Sequence, residues 1–227
     1  FASEGNTPLE LKPNTILRLT FNESIPELTN NAELDPFQYI KGDDLLGLHE
    51  IVATIENAKN DSRIKGIFLD MEMPSFSGYA TVKSLRDALV SFKKSGKFII
   101  AHSKFYMQSD YYLASVADKV YANPVGIFEV RGMVAEVPFY KNLLDKLGVK
   151  MQIYYAGKFK GATEPYRLTQ LSTENKFQYR ELLNDFYTSF LNDVAISRKM
   201  SPSQVADIVG NYKADSPENA KIHGLVD

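Results

Sequence analysis

The sequence predicts an α/β protein with a mainly parallel sheet, helical crossovers between its strands and a set of C-terminal helices. Three observations carry that expectation. Between residues 64 and 122 short branched and apolar runs alternate with helical periodicities in units of about 30 residues, the spacing of strand–helix–strand crossovers. The loops after two of these runs, 70 to 78 and 102 to 109, fall where the carboxyl ends of parallel strands gather a site, and both carry serines. From residue 173 onward the pattern is helical, with Ser-Pro pairs opening the last two segments.

Taken in order, residues 1 to 13 are polar and hold Pro8 and Pro13, which predicts an extended lead-in. Thr15 to Phe21 has the branched content of a strand. Asn22 to Gln38 reads as a long loop whose Ile25, Leu28 and Leu34 pack down on something. Asp43 or Asp44 is placed to cap a helix in which Leu45, Leu48, Val52, Ile55 and Ala58 form one buried face. The division that follows is a lead-in over 1–42, with one strand and a loop, and an α/β domain over 43–227.

Ile64 to Asp70 is a buried strand, and a helix beginning near Tyr79 turns Val82, Leu85, Ala88, Leu89 and Phe92 inward until Ser95-Gly96 stops it. Phe98 to Ala101 is the next strand. His102 to Ser109 reads as a turn into a helix over Asp110–Ala117, and Asp118 to Ala122 as a strand closed by Asn123-Pro124 and Gly126. Further on come a helix over 138–147, an apparent buried strand over 151–154, a long amphipathic helix over about 173–198, and helices starting at Ser201-Pro202 and Ser216-Pro217.

Composition narrows the function. Lys plus Arg number 26 and Asp plus Glu 28, a net charge of −2, so no basic field argues for nucleic acid. With no cysteine there is neither a disulfide nor a thiolate metal site, and His49, His102 and His223 are too scattered for a metal motif. No cofactor is implied. No run of about 18 apolar residues exists to span a membrane, and the start at Phe1 points to processing or trimming of an upstream anchor or targeting segment.

The stretch from Tyr155 to Tyr166 is the candidate site. It breaks at Gly157 and Gly161 before Pro165, which makes it a shaped loop. Lys160 stands between Phe159 and Gly161, a setting that draws an ammonium out of water toward the work of a general base. Lys158, directly after Gly157, reads as the more solvated of the two. Glu164 reads either as an orienting partner for Lys160 or, more ordinarily, as a loop hydrogen-bonding or surface charge. Tyr111 and Tyr112 read as hydrogen-bonded core, and His102 as a satisfied turn histidine.

Several pieces together resemble the signal peptide peptidase A family of membrane-associated serine–lysine proteases, with the Clp protease/crotonase-like fold. They are Ile64-Lys65-Gly66-Ile67, the run Asp110 to Val120, the run from Gly157 through Lys160 to Glu164-Pro165-Tyr166, and the terminal Gly224-Leu225-Val226-Asp227. They follow the family's order and cover about residues 43 to 227. The long members of that family are tandem repeats in which the N-terminal half supplies the lysine and the C-terminal half the nucleophilic serine. Short members carry that serine three residues before the first tyrosine of the pair, a position held here by Gln108.

The resemblance therefore implies the N-terminal half of a long member, with Lys160 as general base and the serine in a C-terminal half outside this chain, so that the isolated chain is inactive. It further implies peptide substrates such as signal-peptide remnants, a homo-oligomer, an anchor outside this chain, and a place at the cell membrane on the extracytoplasmic, periplasmic side. Ser109 falls one position late for a short member's nucleophile, turning its side chain by about 100 degrees on a helix, and it suits an N-cap better. The loop matching the family's oxyanion loop, 71 to 78, retains only Gly78 and carries Pro74, which has no N–H. Two rival readings are a silent assembly or peptide-binding module of the same fold and a crotonase-type acyl-CoA enzyme.

Overall fold

A computed structural model of the protein describes residues 11–21, 25–29, 46–71, 76 and 78–227. Leu34, Asp43, Asp44 and most of the 71–78 loop lie outside the described residues. The described chain divides into two compact units, one of residues 1–131 with 192–227 and one of residues 132–191.

The first unit is built on a four-stranded sheet: β1 (Thr15–Phe21), β2 (Ile64–Met71), β3 (Phe98–Met107) and β4 (Lys119–Glu129). The strands lie in chain order and every pair is parallel. The strand of the 1–42 lead-in is thus an edge strand, hydrogen-bonded along β2. Between them run α1 (Leu48–Asn60), α2 (Tyr79–Lys93) and α3 (Gln108–Ala114). Parallel crossovers are almost always right-handed, and a strand order that always advances the same way places successive crossovers on one face. The burial follows that rule. Ile67, Leu69, Met71, Ile99, Ala101 and Val120 on one face are buried, as is the expected inner face of α2, Val82, Leu85, Ala88, Leu89 and Phe92. On the other face Ile16, Phe98 and Tyr121 are exposed.

In this unit four elements depart from the expectations. Helix α1 begins at Leu48, not at Asp43 or Asp44, because residues 25–29 receive its start: Leu48 N–H donates to the Pro26 carbonyl at 2.8 Å and Gly47 N–H to Thr29 Oγ1 at 3.1 Å. In that segment Ile25 is buried and Leu28 exposed. The turn expected over 102–109 is instead the second half of β3, and α3 starts at Gln108. Strand β4 does not close at Asn123-Pro124 and Gly126. It loops out between Ala122, opposite Ser103, and Ile127, opposite Phe105, then pairs again to Glu129. Gly126 is required there, since a Cβ would lie 2.0 Å from the Lys104 carbonyl oxygen. The Ser103 hydroxyl, 2.8 Å from the Met71 carbonyl and 3.0 Å from the Phe105 N–H, fills the bulge on the other strand.

The last part of α6 (Thr173–Arg198), from Asn192, belongs to this unit with α7 (Pro202–Gly210) and α8 (Pro217–Ile222). The second unit holds α4 (Lys141–Lys146) and α5 (Glu164–Arg167). Both Ser-Pro starts act as expected: Ser201 Oγ and Ser216 Oγ each accept an N–H of the first turn at 3.2 Å. Tyr111 and Tyr112 are buried core, as expected, with the Tyr111 hydroxyl donating to the Leu225 carbonyl at 2.8 Å.

The terminal Gly-Leu-Val-Asp run has a physical role here. Gly224 has φ +75°, Leu225 is buried, and Asp227 closes onto β4, its carboxylate accepting from Val120 N–H at 3.0 Å, Lys119 Nζ at 2.9 Å and Arg198 Nη2 at 3.1 Å. Partial burial alone would raise its pKa, but these donors outweigh it and hold the carboxyl down at about 2. A depressed acid stabilises the fold above its unfolded pKa and loses that contribution as pH falls through the folded one. Asp227→Asn is therefore expected to cost about 2 kcal/mol at pH 7. In urea titrations the difference from wild type should shrink between about pH 4 and pH 2.

Candidate functional site

In the second unit the candidate loop is a compact turn. Gly157 has φ +93°, a conformation that favours glycine, and its carbonyl accepts the Lys160 N–H at 3.4 Å. Lys160 then precedes a single 3₁₀ turn, Gly161–Thr163, which runs directly into α5. Pro165 sits in the first turn of α5, where a missing N–H costs nothing. Its carbonyl accepts the Tyr140 N–H at 2.7 Å, and the Tyr140 and Tyr166 rings stack at 5.9 Å, fixing the turn to the residues that open α4. This helix is shorter than the expected 138–147. Residues 151–154, expected as a buried strand, are irregular chain in which Met151 and Tyr154 are exposed.

Lys160 lines a cavity of about 460 Å³ with Tyr154, Tyr155, Ala156, Phe159 and the 161–163 turn. Phe159 does not draw it out of water: in this chain both side chains are exposed, Phe159 to 54 %. Lys158 is exposed as well. Arg167 stacks on the Tyr155 ring at 4.0 Å, giving the wall of the cavity a fixed aromatic face.

Glu164 is the hydrogen-bonding loop charge of its ordinary reading, but it is buried rather than at the surface and does not pair directly with Lys160. It is fully buried, and its carboxylate turns to Ser172, Asn175 and Arg167. Burial would raise its pKa; the Ser172 hydroxyl and N–H and the Asn175 amide pull it below the usual carboxylate value instead. Sequence reasoning missed the burial, because an acid in a loop gives no sign of it. The one available signal was Ser172 eight residues on, at the head of a long helical pattern.

In the first unit the carboxyl ends of β2 and β3 surround a cavity of about 480 Å³ lined by Phe68, Asp70, Met71, His102, Ser103, Lys104 and Phe105. His102 is a strand residue rather than a turn residue. Its register partner on β2 is Asp70, an acid that local sequence does not reveal, and Arg18 Nε donates to that carboxylate at 3.0 Å. Ser109 is not an N-cap: it is the second residue of α3, exposed, with its hydroxyl 3.0 Å from Asp110 Oδ1. Asp110 is buried, which pushes its pKa up to about 6 against the pull of the Met107 N–H and the Ser109 hydroxyl. Gln108, at the short-member serine position, is the first residue of α3. Among the described residues no group of three or more histidine, cysteine, aspartate or glutamate side chains is arranged to hold a metal ion, and no helix is long and apolar enough to cross a membrane.

A four-stranded parallel sheet with helical crossovers marks an α/β protein of the Clp protease/crotonase-like type. Comparison with known proteins adds the family: residues 91–227 match peptidase family S49, and the chain belongs to it. It is 30% identical over 184 residues to Protease 4 of Haemophilus influenzae and 31% identical over 187 residues to Protease 4 of Salmonella typhi, covering 78% and 79% of this chain. It is 26% identical over 181 residues to the chloroplastic serine protease SPPA of Arabidopsis thaliana, covering 80% of this chain and 26% of the relative. The chain spans about 30% of the length of either Protease 4.

Proposed function

We propose that this chain is the N-terminal repeat of a membrane-associated serine–lysine endopeptidase, in which it supplies the general base, Lys160, to a serine lying outside these residues. The observation that carries the reading is the Lys160 turn: a lysine presented at a cavity by a turn that is glycine-shaped on one side and anchored by Tyr140, Pro165 and a buried acid on the other. The protease names of the relatives support the class of reaction, and their greater length leaves room for a second half that brings the nucleophile.

In the mechanism, the Lys160 amine accepts the proton of the serine hydroxyl as its oxygen attacks the peptide carbonyl. It then returns that proton to the leaving amine, and water releases the acyl group by the same route in reverse. Substrates are extended, apolar peptides such as signal-peptide remnants. The full protein works as a homo-oligomer held to the membrane by a segment outside this chain, with this unit on the extracytoplasmic, periplasmic side.

The test is intact-mass analysis after exposure to a serine-directed fluorophosphonate. The expected result is no adduct on the 227-residue chain and one adduct on the full-length protein, on a serine outside these residues. An adduct at Ser109 of the isolated chain that disappears in Lys160→Ala would instead place a complete dyad within this half.

A further inference from the structure

We propose that Glu164 is a positioning residue for Lys160, fastening the turn that carries the lysine to the start of α6 without touching the lysine itself. The inference rests on the reading of Lys160 as general base and extends it to what holds that base in place.

Burying a carboxylate is strongly unfavourable unless donors replace the water it loses, yet Glu164 is 0 % exposed in a small turn where a glutamate on the surface would serve as well. Its donors are all built in. Oε1 accepts the Ser172 hydroxyl at 2.5 Å, and Oε2 accepts the Ser172 N–H at 3.0 Å and Asn175 Nδ2 at 3.1 Å. Arg167 Nη2 stands 3.6 Å from Oε1. Ser172 Oγ in turn accepts the Asn175 N–H at 3.2 Å, as an N-cap does, so the acid and the first turn of α6 are one hydrogen-bonded unit.

The second observation is where Lys160 meets that unit. Gly161, its neighbour, lies against the Asn175 amide: a Cβ at Gly161 would fall 2.2 Å from Asn175 Nδ2 and 2.4 Å from its Cγ. The turn is therefore held on both sides of its short span, by close contact at Gly161 and by the carboxylate at Glu164. The partners at Ser172 and Asn175 belong to the head of a long helix, so the turn is fastened to a regular hydrogen-bonded element rather than to another loop. Because a misplacement of about 1 Å can lower the rate about 100-fold, a base on an exposed turn needs such a tether.

The experiment uses the full-length protein with Lys160→Ala, Glu164→Gln, Glu164→Ala and Asn175→Ala, and Asp227→Asn as a variant that lowers stability in the other unit. In Glu164→Gln the carbonyl oxygen can take the Oε2 place and keep the Ser172 N–H and Asn175 donors, but the NH2 then replaces the charged Oε1 that accepts the Ser172 hydroxyl and faces Arg167 Nη2, so the tether is weakened while volume is kept. The expected result is a fall in kcat of about 10- to 100-fold with KM within about twofold, and a smaller fall in Asn175→Ala. The rate at which trinitrobenzenesulfonate labels Lys160, read by peptide mass spectrometry, is expected to change at least threefold. Asp227→Asn should leave kcat and the labelling rate unchanged.

Should Glu164→Ala fail to fold, Glu164→Gln and Asn175→Ala decide. Wild-type kcat and wild-type Lys160 labelling in both, with Lys160→Ala inactive, would overturn the positioning role alone. A fall in kcat that only matches the fall in folded fraction would overturn it equally. An active Lys160→Ala would overturn the general-base reading instead, and the labelling rate would still report whether Glu164 holds the turn.

Discussion

Lys160→Ala in the full-length protein is expected to lower kcat for peptide hydrolysis by at least about 100-fold and up to about 10,000-fold, the range lost when a positioned general base is removed. Stability should scarcely change. The side chain is exposed in this chain, and surface substitutions away from buried networks usually stay within about 0.5 kcal/mol. Lys160→Arg sharpens the test. A guanidinium keeps the positive charge and the reach, but it does not give up its proton in proteins. If Lys160 works by taking a proton, the arginine variant is as inactive as alanine. If it only binds a substrate carboxylate or carbonyl, arginine restores most of the rate and the effect of alanine appears in KM. Steady-state kinetics of the three proteins, with unfolding curves alongside, separates the two. A near-wild-type kcat in Lys160→Ala would remove the dyad.

The residues that sequence reading found, and those it missed, divide by whether their role is local. The inner face of α2 and the two Ser-Pro starts are decided within a turn or two of helix, so periodicity and capping chemistry revealed them. The parallel sheet was legible for the same reason, since strand and crossover alternate along the chain. Strand ends were not. Asn123-Pro124 and Gly126 are turn residues, and they do make a turn, but the strand resumes because Ile127 finds Phe105 across a bulge that only the neighbouring strand provides. The start of α1 was misplaced because its first N–H groups are satisfied by Pro26 and Thr29, some twenty residues earlier. At the site, the glycines and Pro165 that shape the Lys160 turn could be read directly. Phe159 misled because an aromatic neighbour in sequence is a desolvating wall only where something packs it down. The burial of Glu164, and the Asp70 that stands opposite His102 in register, were not legible because Ser172, Asn175 and Asp70 are brought in by the fold.

Arg86 is the largest of these non-local effects. It follows Leu85 on α2. In the fold it is 2 % exposed. Nη1 donates to the Tyr112 carbonyl and to Ser115 Oγ at 2.8 Å, and Nη2 to the Asp193 carbonyl at 2.7 Å and Ser197 Oγ at 2.6 Å. Nε lies 3.8 Å from the Asp193 carboxylate, which also accepts from the Tyr112 hydroxyl, and the guanidinium sits 4.7 Å over the Tyr112 ring. Burial lowers its pKa, with Tyr112 and Asp193 pulling the other way. One side chain thus ties α2 to α3 and to the last turns of α6.

Arg86→Ala takes a donor from four acceptors at once and leaves the Asp193 carboxylate without its guanidinium. The expected cost is about 3–5 kcal/mol, a large share of the roughly 5–15 kcal/mol that a domain has in total. Urea titration should show a lowered midpoint with an unchanged slope. Arg86→Lys recovers only part of this, because a single ammonium has neither the planar fork nor the reach for acceptors on two helices. In the double variant Arg86→Ala/Asp193→Asn, neutralising a carboxylate then left with the Tyr112 hydroxyl and Lys83 Nζ at 3.9 Å should return about 1 kcal/mol relative to the sum of the single changes. Strict additivity would mean that the charge pair contributes nothing and that Arg86 acts through its hydrogen bonds to the Tyr112 and Asp193 carbonyls and the two serines and through packing.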